Sequence, residues 1–239
     1  MRPNLLRLPI SHYCKKVEWA MTDLGIDVDA TNVWFRTLVD IRDINPENTV
    51  PVLELDDRLV CGSHAIMQWL ADESEVGHTL YPDADAAAWE QWADATVGPL
   101  ARRDSYRTLH AAPTKYTGNP GVWFLGRAGR RVILAILKAY KVRRFEDQDA
   151  ADRDRILGRI GEQLARSEGA FLFGDQKTAA DYAVAALVAP LLRIRTTPYL
   201  EHPDRDAIEA FVDVVRPEGS PFVKKHRFPA VRERMAAKA

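Results

Sequence analysis

The sequence predicts an α/β unit followed by an all-α region. Strand-like and helix-like segments alternate over the first 75 residues. A break in composition follows, where Gly77, Pro82 and several acids fall together. Beyond it, apolar residues recur only at helical spacing. The expected domains are therefore residues 1–75, a linker at 76–86, and an all-helical domain at 87–239.

The elements follow in order. Asn4 to Leu8 is a short apolar run ended by Pro9, which suits a strand. Tyr13 to Leu24 places Val17, Ala20, Met21 and Leu24 at helical spacing, and Gly25 supplies a stop. Val28 to Phe35 is rich in β-branched and aromatic residues, so it reads as a second strand. Thr37 to Ile44 has a weak helical signal closed by Asn45-Pro46. Val52 to Leu55 and Arg58 to Cys61 flank Asp56-Asp57 as a hairpin. Ser63 opens a helix that turns Ile66, Met67, Trp69 and Leu70 inward, giving βαβ, a connector, ββ and α. After the linker, Asp83 to His110 reads as one long helix bent near Gly98-Pro99. Helices are also expected at Val122 to Arg144, Asp149 to Ser167, Thr178 to Ile194, Pro203 to Val215 and Pro229 to Ala237.

Composition excludes several functions. Within 239 residues, 33 Lys+Arg against 34 Asp+Glu give no global pull toward nucleic acid. No apolar run approaches the roughly 18–20 residues that span a membrane. The first residues lack a secretory h-region, so a soluble, cytoplasmic protein is expected. Two cysteines make neither a disulfide framework nor, alone, a zinc site, and no metal is expected.

Four segments carry a resemblance. Ser11-His12-Tyr13-Cys14-Lys15-Lys16-Val17 resembles the S-x-x-[CS]-x-[KR]-V turn of soluble glutathione S-transferases. Asn45-Pro46 followed by Thr49-Val50-Pro51-Val52-Leu53 is similar to their N-P-x-x-x-V-P-x-L segment. Ser63 to Leu70 resembles their S-x-A-I-x-x-Y-L helix start, and Gly174-Asp175 through Ala183 the capped helix of their C-terminal domain. The four come in the family's order. The resemblance implies a thioredoxin-like N-terminal domain that binds glutathione, and a C-terminal helical bundle contributing the electrophile site. It also implies a homodimer that joins glutathione to a small electrophile in detoxification. Residues 111–146 are longer than the family leads one to expect.

The chemistry of each motif can be stated. A free thiol has a pKa near 8.5, and lowering it by about 2 units takes roughly 2.7 kcal/mol of selective thiolate stabilisation. A hydroxyl donating to a charged acceptor supplies about 1.5–3 kcal/mol, and a helix N-terminus about 0.3–1 kcal/mol more. Ser11 offers both, and by the resemblance it is the thiol-activating residue; as a helix N-cap it has a plainer role. Cys14, one turn on, is the second choice for catalysis through glutathione-dependent thiol transfer or reduction, although a small buried thiol packs equally well there. Cys61 reads as core.

Pro51 is similar to the cis-proline of thioredoxin-like domains and would turn the Val50 backbone toward the cysteine of glutathione. Ser63, at a helix N-terminus, suits the γ-glutamyl carboxylate. The family commonly has an acid before this serine to bind the γ-glutamyl ammonium; here Gly62 stands there. His64, if neutral, or Asp104 from a partner subunit are candidates to replace it. Arg36 is a candidate for the glycine carboxylate. Tyr13, Tyr106, His110, Trp123 and Phe124 are candidates to line the electrophile site. Thr178 and Asp181 read as a capping box. Arg127 to Arg144 holds many basic residues and no acid, suiting a solvated face, or else an anionic substrate, an acidic partner or a membrane face. Gly62 also keeps open a non-catalytic binding or interaction protein of this fold.

Overall fold

A computed structural model describes residues 2–33, 40–47, 49–74, 77–111, 146–194 and 199–226. The N-terminal elements are β1 (Asn4–Arg7), α1 (His12–Asp23), β2 (Val28–Asn32), β3 (Val52–Glu54), β4 (Leu59–Cys61) and α2 (Ser63–Glu73). This is the expected βαβ-ββα order. β1 runs parallel to β2, with Asn4 opposite Asp29, and antiparallel to β3, with Leu5 opposite Leu53; β3 and β4 form the hairpin. A single 3-10 turn at Asp40–Asp43 is what the weak helical signal before Asn45 becomes.

The helical region begins with α3 (Ala84–Trp92), which widens into a π turn at Ala93–Val97 and continues as α4 (Gly98–Ala111). The expected irregularity near Gly98-Pro99 is this turn. Pro99 withdraws one amide donor from the helix, and the wider turn lies immediately before it. Then come α5 (Glu146–Arg166), α6 (Ala179–Leu192) and α7 (Arg205–Val215). The helices expected at 122–144 and 229–237 lie outside the described residues.

α6 is apolar on all sides and buried along almost its whole length. α1, α3, α4 and α7 pack around it. One continuous core therefore joins Leu5, Val17 and Leu70 of the first half to Leu100, Ile160 and Val184 of the second. The opposite face of the sheet has its own cluster, Leu6, Val33, Ile41, Ile44 and Val52. At the far end of α1, Asp23 accepts from the Tyr182 hydroxyl at 2.9 Å and from Lys177 Nζ at 2.6 Å, tying α1 to α6.

Two expectations are corrected. The region after residue 86 is not entirely helical, because Phe222–His226 forms a strand, β5, parallel to β2. The sheet order is β4-β3-β1-β2-β5, so a late segment closes the edge that β2 would otherwise present. Cys61 is exposed rather than core: it ends β4, which among the described residues is the outermost strand on the other side of the sheet.

Candidate functional site

The site is built where β1 turns into α1. Ser11 has extended backbone angles (φ −77°, ψ 123°) and caps α1, its Oγ accepting the Cys14 amide at 3.4 Å. Capping uses the oxygen as an acceptor and leaves the hydroxyl proton to donate elsewhere. Cys14 points the other way, into the core, fully buried. Desolvation pushes its thiol up to about 12. A thiol held protonated in this way is a poor nucleophile.

The two residues between them anchor the turn to the helical region. His12 is buried, and its Nε2 lies 3.2 Å from the Gly98 carbonyl. Burial, and then the positive charge of Arg102, lower its pKa to about 3, so the ring is neutral and donates Nε2–H to that carbonyl. The Tyr13 hydroxyl donates to the Asp94 carbonyl at 3.0 Å. Its ring lies against Gly98, where a Cβ would collide with the phenol oxygen. The Arg102 guanidinium stands 5.2 Å from the centre of the Tyr13 ring. Tyr106, half-buried, follows one turn along α4.

The Val50-Pro51 bond is cis, as the motif leads one to expect. The Pro51 carbonyl accepts the Gly62 amide at 3.0 Å, joining this loop to the start of α2. Gly62 has φ 90° and ψ 151°, a conformation that an L side chain rarely adopts. The backbone here favours glycine, which gives a physical reason for the missing acid. Ser63 is the buried first residue of α2, and no side chain caps that helix. Ser63 is therefore not a cap itself, because the capping position is Gly62.

His64 belongs to a buried network that the sequence did not announce. Its Nδ1 lies 2.9 Å from Glu90 Oε2, which also accepts from the Tyr81 hydroxyl at 2.7 Å. Lys16, with no exposed surface, places Nζ 2.6 Å from Glu90 Oε1 and 2.7 Å from Asp94 Oδ2. A buried ammonium would cost several kcal/mol unpaired; two carboxylates from the helical region offset this. Among the described residues His64, Glu90 and Asp94 also bring metal-type ligand atoms within 4.8 Å of one another. Lys16 already bridges both carboxylates, so the donor set is that of an ion-pair network. No pattern in the sequence signals it, because Lys16 and Glu90 come from separate segments that only the fold brings together.

Asp104, the other candidate for the γ-glutamyl ammonium, lies within α4. It is buried, accepts from the Tyr199 hydroxyl and Arg107, and lies 3.3 Å from Arg153. Its carboxylate is thus engaged by partners within its own chain. Arg36, Trp123 and Phe124, the side chain of His110 and the basic segment at 127–144 lie outside the described residues.

Residues 5–77 match the family model for the N-terminal domain of glutathione S-transferases. Solved structures resemble the chain over most of its length. A glutathione S-transferase domain-containing protein from Marinobacter aquaeolei is 20% identical, with 89% of this chain and 96% of that one covered and a TM-score of 0.64. A glutathione S-transferase from Xylella fastidiosa is 15% identical, covering 89% and 91%, with a TM-score of 0.61. One from Methylobacillus flagellatus, solved with glutathione bound, is 19% identical, covering 90% and 99%, with a TM-score of 0.56. No curated protein sequence matches the chain. The N-terminal match and these likenesses show the glutathione S-transferase fold: a thioredoxin-like sheet with helices, followed by a helical region. Among the described residues no helix is long and apolar enough to cross a membrane.

Proposed function

We propose that the protein is a glutathione S-transferase in which Ser11 activates the thiol. The observation that carries this reading is the Ser11 hydroxyl at the start of α1, its oxygen engaged by the Cys14 amide and its proton left to donate. The family match over residues 5–77 and the cis-proline after Val50 support glutathione as the co-substrate. In this reading residues 1–75 bind glutathione, 76–86 link, and 87–239 supply the electrophile site. Val50 pairs with the cysteine backbone, and the start of α2 at Ser63 receives the γ-glutamyl carboxylate. His64, its Nδ1 2.9 Å from Glu90 Oε2, is assigned to the γ-glutamyl ammonium, which Gly62 cannot hold. Arg36 is assigned to the glycine carboxylate, and Tyr13, Tyr106, His110 and Trp123 to the electrophile.

In the reaction the thiol gives its proton to solvent and the Ser11 hydroxyl donates to the thiolate. The sulfur electron pair then forms a bond to the electrophilic carbon, and the leaving group departs with its own pair. A cytoplasmic homodimer acting in detoxification fits this chemistry. Thiol transfer through Cys14 fits poorly with a buried thiol pushed up to about 12.

Calorimetric titration with glutathione and assays of Ser11→Ala and Cys14→Ser test the proposal. Glutathione binds the wild type, Ser11→Ala lowers kcat for conjugation by about 10²-fold with binding retained, and Cys14→Ser keeps most activity. Absence of binding at millimolar glutathione turns the reading to a non-catalytic protein of the fold. Loss confined to Cys14→Ser turns it to thiol transfer.

A further inference from the structure

We propose that a cleft between α1 and the approach to β5 binds a small organic acid, whose carboxylate the Arg7 guanidinium receives. Lys15, Glu18, Trp19 and Thr22 recur at helical spacing and so share one face of α1. With Arg7, the last residue of β1, and residues 217 and 219–222, which lead into β5, that face lines a cleft of about 100 Å³. The lining includes neither Ser11 nor any residue assigned to glutathione or to the electrophile. His12 and Lys16 are bound instead to the helical region.

The Arg7 side chain is only 10% exposed, and two contacts hold it. Its Nε pairs with Glu18 Oε1 at 2.7 Å, and its guanidinium carbon stands 4.5 Å from the centre of the Phe222 ring. Nη1 and Nη2 have no further partner among the described residues. Donors of a nearly buried cation are costly to leave unmatched, and a planar carboxylate accepts from both at once. Ser220 Oγ accepts the Phe222 amide at 3.4 Å and keeps its own proton as a further donor.

Charge and size narrow the ligand. Among the lining residues Arg7 and Lys15 are positive and Glu18 is negative, an excess of one positive charge. Glu18 is engaged at both oxygens, since Lys15 Nζ lies 2.7 Å from its Oε2. Glu218 is exposed and does not line the cleft. The excess matches a singly charged carboxylate, whereas a dianion would leave one charge unmatched beside Glu18. The volume holds a few waters' worth of ligand, which suits a short-chain acid. Trp19 and Phe222 offer its carbon chain apolar surface.

The full chain is titrated with propionate, propionamide, orthophosphate and chloride at constant ionic strength, with the Trp19 indole and Arg7 Nε–H signals followed by NMR. Propionate shifts both signals to saturation and binds at least about tenfold more tightly than propionamide, orthophosphate or chloride. It also raises the melting temperature as its concentration rises, because only the folded chain has the cleft. Arg7→Lys keeps a cation beside Glu18 but loses the fork, and weakens propionate at least about tenfold. Should that variant fail to fold, the wild-type comparison alone decides. Equal affinity for propionate and propionamide, or shifts that never saturate, overturn the site. Tighter binding of orthophosphate overturns the carboxylate assignment, and undiminished propionate binding in a folded Arg7→Lys overturns the role of Arg7.

Discussion

His12 is the neighbour of the proposed catalytic serine and is held neutral inside the protein. Its ordinary pKa near 6.5 falls to about 3, first because burial penalises the imidazolium and then because Arg102 is close. The unfolded chain takes up this proton as pH drops through 6.5, while the native protein does not until about pH 3. The native state therefore keeps its full advantage above pH 6.5 and loses it progressively between 6.5 and 3. Urea midpoints measured across this range should fall as pH is lowered. His12→Gln, which keeps an N–H for the Gly98 carbonyl, should flatten that fall. An unchanged slope in the variant would assign the acid sensitivity to the buried carboxylates instead. Ser11 and Pro51 were legible in the sequence because each sits in a local turn pattern. Lys16, Glu90 and Arg102 were not, since their meaning arises only when α1 docks on α3 and α4, and no local spacing encodes that contact.

At the scale of elements, α6 is the helix on which both halves are assembled, and its start depends on one side chain. Asp181 is fully buried. Its Oδ2 accepts the Thr178 amide and hydroxyl, both at 2.7 Å, and its Oδ1 accepts the Leu172 amide at 2.8 Å. The capping signal at 178–181 thus marked the helix start, and the structure adds that the same carboxylate fixes the preceding loop. Desolvation raises its pKa despite these donors. Asp181→Asn exchanges an acceptor oxygen for a donor facing other donors, and should cost about 2–3 kcal/mol. Urea unfolding should show this as a lower midpoint at unchanged slope. A loss below about 0.5 kcal/mol would mean that the loop rearranges without penalty. Helix positions were legible throughout the described region because apolar spacing and stop residues are local. The π turn was foreseen only as an irregularity, since Gly98-Pro99 signals a defect without specifying its geometry.

For the whole molecule, the order of the first four strands follows from short connections that leave few alternatives. The fifth strand does not. Phe222–His226 is brief, contains two lysines and follows a segment with two prolines and a glycine, so nothing in it reads as part of a sheet. It pairs with β2, nearly the whole chain away, with Phe222 opposite Val28 and a register shift before Lys225. Arg7 stacks on the Phe222 ring at 4.5 Å while its Nε pairs with Glu18 at 2.7 Å, so β5 is also fastened to β1 and α1. Without this strand, β2 would present a row of unpaired amides and carbonyls, which templates association between chains. A chain ending at Glu218 should therefore lose about 2 kcal/mol or more and melt about 4–8 °C lower. Light scattering should show it associating at concentrations where the full chain does not. If the shortened chain kept both its melting temperature and its state of association, β5 would be an ornament on the sheet. The expected loss makes it the element through which the end of the helical region holds the thioredoxin-like sheet closed.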